Sequence, residues 1–176
     1  IVSELIQHNN QAAIIEKKLI QQIDNEIEPW SHSNKYLLAR IDNSSFETAK
    51  TIRGTENLLA EMLTDQKSTQ ILFDTIQNLH LKLLPHLLNN PYIDGILLCN
   101  DWGMQTSLIM PPDLWESMIL NGERRLYQMI HQYNKDVWIH SCGNISNIIP
   151  QLISSDVDVL NPIEPTAMNL PQLVKD

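Results

Sequence analysis

Cysteine, basic residues and long apolar runs are all scarce in this chain of 176 residues. Its two cysteines, Cys99 and Cys142, are too few for the disulfide framework that stabilises many small secreted domains. The sequence also shows no signal-peptide pattern and no apolar stretch long enough to cross a bilayer. These absences predict a cytoplasmic protein that is kept reduced and does not enter a membrane.

Positive charge is scarce as well, since 12 Lys and Arg residues stand against 21 Asp and Glu residues, for a formal net charge of -9. Binding to nucleic acid or to an anionic membrane surface needs clustered Lys and Arg, and no such cluster occurs. The chain has only five glycines, and no glycine-rich phosphate loop follows a predicted strand. C-x-x-C, H-E-x-x-H and G-x-S-x-G are also missing, which argues against the common redox and hydrolase classes.

What is present describes a globular protein, with 43% hydrophobic and 19% charged residues. The chain opens on Ile1, and Leu170 to Asp176 has the pattern of a helix that begins without a terminator. We therefore expect residues 1–176 to form a single partial domain, taken from the middle of a longer chain.

Apolar residues at helical spacing predict several helices. Their expected ranges are Leu5–Ile27, a helix starting near Phe46, Glu56–Leu63, Lys67–Leu88, a region opened by Pro111–Asp113, and Ile145–Ile153. The core stripe predicted for the longest helix is Leu72, Ile76, Leu79, Leu83 and Leu87, with Pro85 kinking or ending its last turn. Ser44 and Glu47 have capping-box spacing, Gly54 separates two helices, and Asn144 is the expected cap of another.

Short apolar runs between these helices predict four strands. Their expected ranges are Lys35–Ile41, Ile93–Cys99, Asp136–His140 and Val157–Ile163. Strands that are buried on both faces and alternate with helices indicate parallel βα units. Four such units make part of a doubly wound sheet or about half of an eight-stranded TIM (β/α)8 barrel. Polar residues gather just after the strands, which is where a TIM barrel builds its active site, so we predict an α/β fold of the partial-barrel type.

The block H-S-C-G-N at 140–144 is the strongest candidate for chemistry. It follows a predicted strand, and residues two apart in an extended chain point to the same side, so His140 and Cys142 can ligate one ion. Gly143 allows a sharp turn. Catalytic zinc commonly has three protein ligands and one open position, so a further ligand is required. The alternative is a buried thiol beside a hydrogen-bonded histidine.

Other residues near the strand ends are open to two interpretations each. Asp101 and Glu164 are expected to face a pocket as ligands, as groups that orient the histidine or as substrate contacts, or else to be solvated loop residues. Cys99 either approaches the histidine or is a small core residue. Trp102 and Met104 either line the pocket or pack.

Four blocks in series carry a resemblance to a known family. They are R-G-T-E-N at 53–57, N-D-W-G-M-Q at 100–105, H-S-C-G-N-I at 140–145 and L-N-P-I-E-P at 160–165. In order and spacing they resemble the uroporphyrinogen decarboxylase superfamily, from about Tyr36 to the end of the chain. The resemblance implies a TIM barrel of about twice this length, of which this chain is a middle portion.

Within that superfamily, the H-x-C-G block resembles corrinoid-dependent methyltransferases of the methylcobalamin:coenzyme M type. That resemblance implies that His140 and Cys142 bind zinc together with a later cysteine, which would lie beyond Asp176. It implies methyl transfer from a methylated corrinoid, free or on a corrinoid protein, to a small-molecule thiol. Asp101 and Glu164 would then be the catalytic pocket groups.

Two alternatives remain open at this point. The first is decarboxylation of uroporphyrinogen, a lyase reaction of porphyrin biosynthesis, since the cationic and acidic residues for that reaction lie largely in a part that this chain does not contain. The second is a noncatalytic half-barrel that pairs with another copy, because half a barrel exposes two strand edges and apolar helix surface.

Overall fold

A parallel sheet organises the structure, a computed structural model that describes Lys18 and residues 21–173. Its strands are β1 (Leu38–Ile41), β2 (Gly95–Cys99), β3 (Asp136–His140) and β4 (Val159–Asn161). They lie in the order β1-β2-β3-β4 and every neighbouring pair is parallel. In this register Cys99 lies beside His140 and His140 beside Asn161, so the carboxyl ends of three strands meet at one edge. The parallel βα arrangement is confirmed, with β1, β2 and β4 shorter than predicted.

Helices alternate with these strands. They are α1 (residues 21–27), a 3-10 turn (Glu28–Trp30), α2 (Ser45–Arg53), α3 (Thr55–Thr64), α4 (Gln66–Leu88), α5 (Pro112–Trp115), a π-helical segment (Glu116–Leu120), α6 (Asn121–Gln132), a second 3-10 turn (Ser146–Ile148), α7 (Ile149–Ile153) and α8 (Leu170–Leu173). The earlier part of the predicted first helix and residues 174–176 lie outside the described residues. None of the described helices combines the length and apolar character needed to cross a membrane.

The two faces of the sheet differ in burial. On one face Ile96, Leu98, Val137 and Ile139 are fully buried in a single apolar cluster with side chains of α2, α4 and α6. On the other face Leu97 and Trp138 remain partly exposed. The prediction that the strands are buried on both faces thus holds for β2 apart from Leu97 and is wrong for β3. An α/β fold with a four-stranded parallel sheet, whose central strands are fully buried on one face, is compatible with a partial barrel.

The core stripe of α4 differs from the predicted one. Phe73, Ile76, Leu84 and Leu88 are buried, whereas the predicted core residue Leu79 is 53% exposed. Leucine occupies so many positions on this helix that helical spacing alone does not determine which side of the helix faces the core. Pro85 stands in the last turn, and the helix still runs to its predicted end at Leu88, so this residue does not end it early.

Three of the described helices, α2, α3 and α4, begin within one residue of their predicted starts, but the side-chain caps predicted at Ser44 and Asn144 do not form. α2 begins after Ser44, whose hydroxyl is buried and makes no capping bond. Glu47 does not complete a capping box, since its Oε1 accepts a hydrogen bond from the backbone N–H of Asp101 at 3.4 Å. Asn144 is not at the cap position either: its Oδ1 accepts from the backbone N–H of Ser146 at 3.1 Å, but the N-cap of the second 3-10 turn is Ile145 and that of α7 is Ile148.

Candidate metal centre

Three donor atoms meet where β2 and β3 end. His140 is the last residue of β3 and Cys142 follows two positions later, which places the Cys142 Sγ 3.5 Å from the His140 Nε2. The Asp101 Oδ1 comes from the loop after β2 and lies 3.8 Å from the same Nε2. All three donors lie within 4.8 Å of one another. The structure thus brings the predicted pair together and adds a carboxylate from the neighbouring loop.

These separations are close to those of a tetrahedral zinc site. Bonds of about 2.0–2.3 Å at tetrahedral angles place two ligand atoms roughly 3.4–3.6 Å apart. The distances of 3.5 Å and 3.8 Å are near that range and the third pair of donors lies within 4.8 Å, so small movements of the side chains would complete the geometry. Imidazole nitrogen, cysteine sulfur and carboxylate oxygen are also the donor types that zinc accepts. The residues present therefore fit a three-ligand zinc site.

Asn161 orients the imidazole of His140. Its Oδ1 lies 3.1 Å from the His140 Nδ1, a contact that the β3–β4 register makes possible by placing the two residues side by side. With that oxygen as acceptor, Nδ1 carries the proton and the lone pair of Nε2 faces Cys142 and Asp101. The sequence predicts Asn161 at the end of a strand but does not predict its contact with His140. The pairing of β3 with β4 is what reveals this contact.

Asp101 is held by contacts with the loop after β3 and with α2. Its Oδ1 accepts a hydrogen bond from the backbone N–H of Cys142 at 3.1 Å, and its own backbone N–H donates to Glu47 on α2 at 3.4 Å. The side chain is 47% exposed, which leaves it accessible to a ligand. Of the alternatives open from sequence, the geometry favours a ligand role over ordinary solvation for this residue.

Glu164 contacts the turn and is not one of the clustered donors. Its Oε2 accepts from the backbone N–H of Gly143 at 2.9 Å, and its Oε1 accepts from the hydroxyl of Thr166 at 3.1 Å. Gly143 has a φ of +78°, and a Cβ there would lie 2.6 Å from the carbonyl carbon of Gly103. Only glycine suits this turn, and Glu164 fixes the direction of its amide.

The surrounding charges set the ionisation of the Cys142 thiol. Burial raises its pKa first, and the negative charges of Asp101 and Glu164 raise that pKa further. Without a cation the thiol therefore stays protonated at neutral pH. Two carboxylates around a thiol and an imidazole form an arrangement that a divalent cation stabilises.

Cys99 and Trp102 are buried and lie outside the donor group. Cys99 lies beside His140 in the strand register, as one of its alternatives predicted, but it is only 5% exposed, burial raises the pKa of its thiol, and it is not part of the donor group found among the described residues. Trp102 is fully buried with its ring edge-on to Trp115, 5.2 Å between centroids. Met104 is 48% exposed.

The R-G-T-E-N block lies away from these donors. Its Arg53 pairs with Glu61 through two hydrogen bonds, one of them 2.9 Å from Nε to Oε2. The block thus marks the turn between α2 and α3, where Gly54 has a φ of +79°.

Relationships to known proteins add nothing to this geometry. Comparisons with protein-family models, with curated proteins and with solved structures find no match to this chain. The likeness of its four blocks to the uroporphyrinogen decarboxylase superfamily stays a prediction.

Proposed function

We propose that this chain is part of a TIM-barrel enzyme of the uroporphyrinogen decarboxylase superfamily that uses zinc to transfer a methyl group from a corrinoid to a thiol. The observation that carries the proposal is the meeting of Asp101, His140 and Cys142 donor atoms within 4.8 Å. Their location at the carboxyl ends of parallel strands supports it, since barrel enzymes place their chemistry there.

The roles of the side chains follow from their contacts. His140 and Cys142 would hold the ion, with the Asp101 carboxylate as the third ligand. Zinc in such a site lowers the pKa of a bound substrate thiol, so that the nucleophilic thiolate exists at neutral pH. Asn161 keeps the proton of the imidazole on Nδ1, away from the ion. Glu164 fixes the Gly143 turn that carries Cys142 to its place.

Local charge favours this proposal over decarboxylation of a tetrapyrrole. A substrate with several carboxylates needs cations to receive them, whereas the carboxylates of Asp101 and Glu164 lie near Cys142 and raise its pKa. The cation at the end of β1, Arg40, already pairs with Asp42. Negative charge around the donors favours a metal cation over a polyanionic substrate.

Metal analysis of the full-length protein, purified under reducing conditions, tests the zinc site. We expect zinc in a one-to-one ratio with the chain, and its loss in both His140→Ala and Cys142→Ala. His131→Ala is a matched control, because His131 bonds to Asp158 at 2.8 Å and is not one of the clustered donors. Protein free of zinc, or variants that retain it, would refute the proposal.

A second assay separates the two reactions. The full-length protein is incubated with methylcobalamin and a small thiol, and loss of the cobalt–carbon absorbance is followed. We expect demethylation that depends on His140. Conversion of uroporphyrinogen to coproporphyrinogen by the same preparation, without demethylation, would support the decarboxylase alternative instead.

A further inference from the structure

A carboxyl group is buried beneath the candidate metal centre. Glu123 on α6 is fully buried, the Ser45 hydroxyl donates to its Oε1, and the Asn100 Nδ2 donates to its Oε2 at 3.5 Å. In the part of the chain that the structure describes, no cation pairs with it. Burial raises its pKa to about 7 although these hydrogen bonds favour the ionised form. Burying such a group is costly, so its position calls for a structural reason.

The Asn100 side chain connects Glu123 to the surrounding elements. Its Oδ1 accepts from the backbone N–H of Phe46 in the first turn of α2 at 3.1 Å, while its Nδ2 donates to Glu123. The backbone N–H of Asn100 donates to the carbonyl of His140 at 2.8 Å. Because Glu123 accepts from Nδ2, it determines which end of the amide faces α2. One residue thus joins α2, α6 and β3.

Asp101 follows Asn100 directly and is tied to the same helix. The backbone N–H of Ser44 donates to the carbonyl of Cys99 at 3.1 Å, and the backbone N–H of Asp101 donates to Glu47 at 3.4 Å. A shift of α2, or a flip of the Asn100 amide, would therefore move the loop that carries the Asp101 carboxylate.

We propose that Glu123 is a positioning residue for the metal centre. By bonding to Ser45 and Asn100 together, it keeps the Asp101 carboxylate against His140 and Cys142. The inference rests on the proposed zinc site, and it predicts that the hydrogen-bonding pattern of Glu123 matters to that site. If Glu123 only filled space, an isosteric amide would serve the site equally well.

Cobalt(II) titration of the full-length protein tests this with a set of matched variants. Glu123→Gln has one acceptor oxygen where the carboxylate has two, so Ser45 and Asn100 can no longer both donate to this side chain, and we expect about tenfold weaker binding with an altered visible spectrum. Glu123→Gln combined with Asn100→Asp exchanges donor and acceptor, so binding should recover. Ser45→Ala removes one bond without changing α6, and we expect about threefold weaker binding.

Leu126→Ala is the control for a general loss of stability. Leu126 is fully buried on the same helix and makes none of these hydrogen bonds. We expect this variant to unfold more easily while its cobalt affinity and spectrum remain those of the wild type. Equal loss of affinity in Leu126→Ala and Glu123→Gln would overturn the positioning role, as would wild-type affinity in Glu123→Gln.

Amide hydrogen exchange gives a readout that needs no metal. The N–H of Cys142 is protected by Asp101, whereas that of Gly143 is protected by Glu164. In Glu123→Gln we expect exchange at Cys142 to accelerate about tenfold relative to Gly143. If the wild type binds no metal and this selective change still occurs, the proposed function fails but the positioning of Asp101 stands. Unchanged exchange at Cys142 overturns the inference itself.

Discussion

The carboxylate of Asp101 accepts a hydrogen bond from the backbone N–H of Cys142 at 3.1 Å, across the two loops that follow β2 and β3. One bond thereby fixes both the direction of the carboxylate and the turn that carries the thiol. The same carboxylate also raises the pKa of that thiol through its charge. Position and ionisation of the candidate ligands are therefore coupled.

Replacing Asp101 by Asn should make the Cys142 thiol more reactive. Asn keeps an oxygen to accept the backbone bond but removes the negative charge, so the pKa of Cys142 falls towards its ordinary value. We expect alkylation by iodoacetamide, with chelator present, to be severalfold faster near neutral pH, as measured by mass spectrometry. Buried Cys99 provides an internal reference, and an unchanged rate at Cys142 would contradict the coupling.

The contact between Asn161 and His140 should control metal affinity. Asn161→Ala leaves Nδ1 without its acceptor, and we expect about 10–100-fold weaker zinc binding. Asn161→Asp supplies a charged acceptor and should strengthen binding. Competition with a coloured chelator measures both variants, and equal affinity of all three proteins would exclude an orienting role.

Gly143 should tolerate alanine far less than Gly54 does. Both have a positive φ, but a Cβ at Gly143 would lie 2.6 Å from the backbone of Gly103, whereas at Gly54 the nearest atom is 3.9 Å away. Gly54→Ala should cost about 1–2 kcal/mol from its φ alone, and Gly143→Ala should cost more. Urea unfolding measures the difference, and Gly143→Ala should also weaken zinc binding because it moves Cys142. Equal costs would show that the close approach of the two loops is relaxed in solution.

The free energy of unfolding should decrease as the pH rises, because of Glu123. Its pKa is about 7 in the folded chain against an ordinary 4.5, so between these values the folded state holds a proton that the unfolded state has lost. The contribution of the Glu123 proton to the free energy of unfolding is complete below about pH 4.5 and is lost as the pH rises through about 7. This contribution amounts to about 3 kcal/mol.

Urea unfolding at about pH 5 and about pH 8 should show this slope in the wild type and not in Glu123→Gln. His80 acts in the opposite sense, since burial lowers its pKa and its contribution grows as the pH rises. That term is common to both proteins and cancels in their difference. An equal fall in stability between these two pH values in Glu123→Gln would assign the pH dependence to other groups.

The part of this site that could be predicted from sequence is the part formed by residues close together in the chain. His140 and Cys142 share a side because they are two residues apart at a strand end, and the parallel sheet then places the loop with Asp101 beside them. Glu123 was not predicted, because it reads as one acidic residue in an amphipathic helix. Its partners Ser45 and Asn100 lie 78 and 23 positions away in sequence, and packing alone brings them together.

Trp138 lies on the partly exposed face of the sheet. It stands two residues before His140, so both side chains point to the same face of β3, about 6.6 Å apart along the strand. The two indoles of Trp102 and Trp115 are fully buried on the helical side, and Trp30 lies in the turn after α1. The Trp138 Nε1 donates to the Tyr36 hydroxyl at 3.3 Å, whereas Trp102 directly follows the donor residue Asp101. A paramagnetic ion bound at the donors should therefore reduce the tryptophan fluorescence of the chain through both indoles.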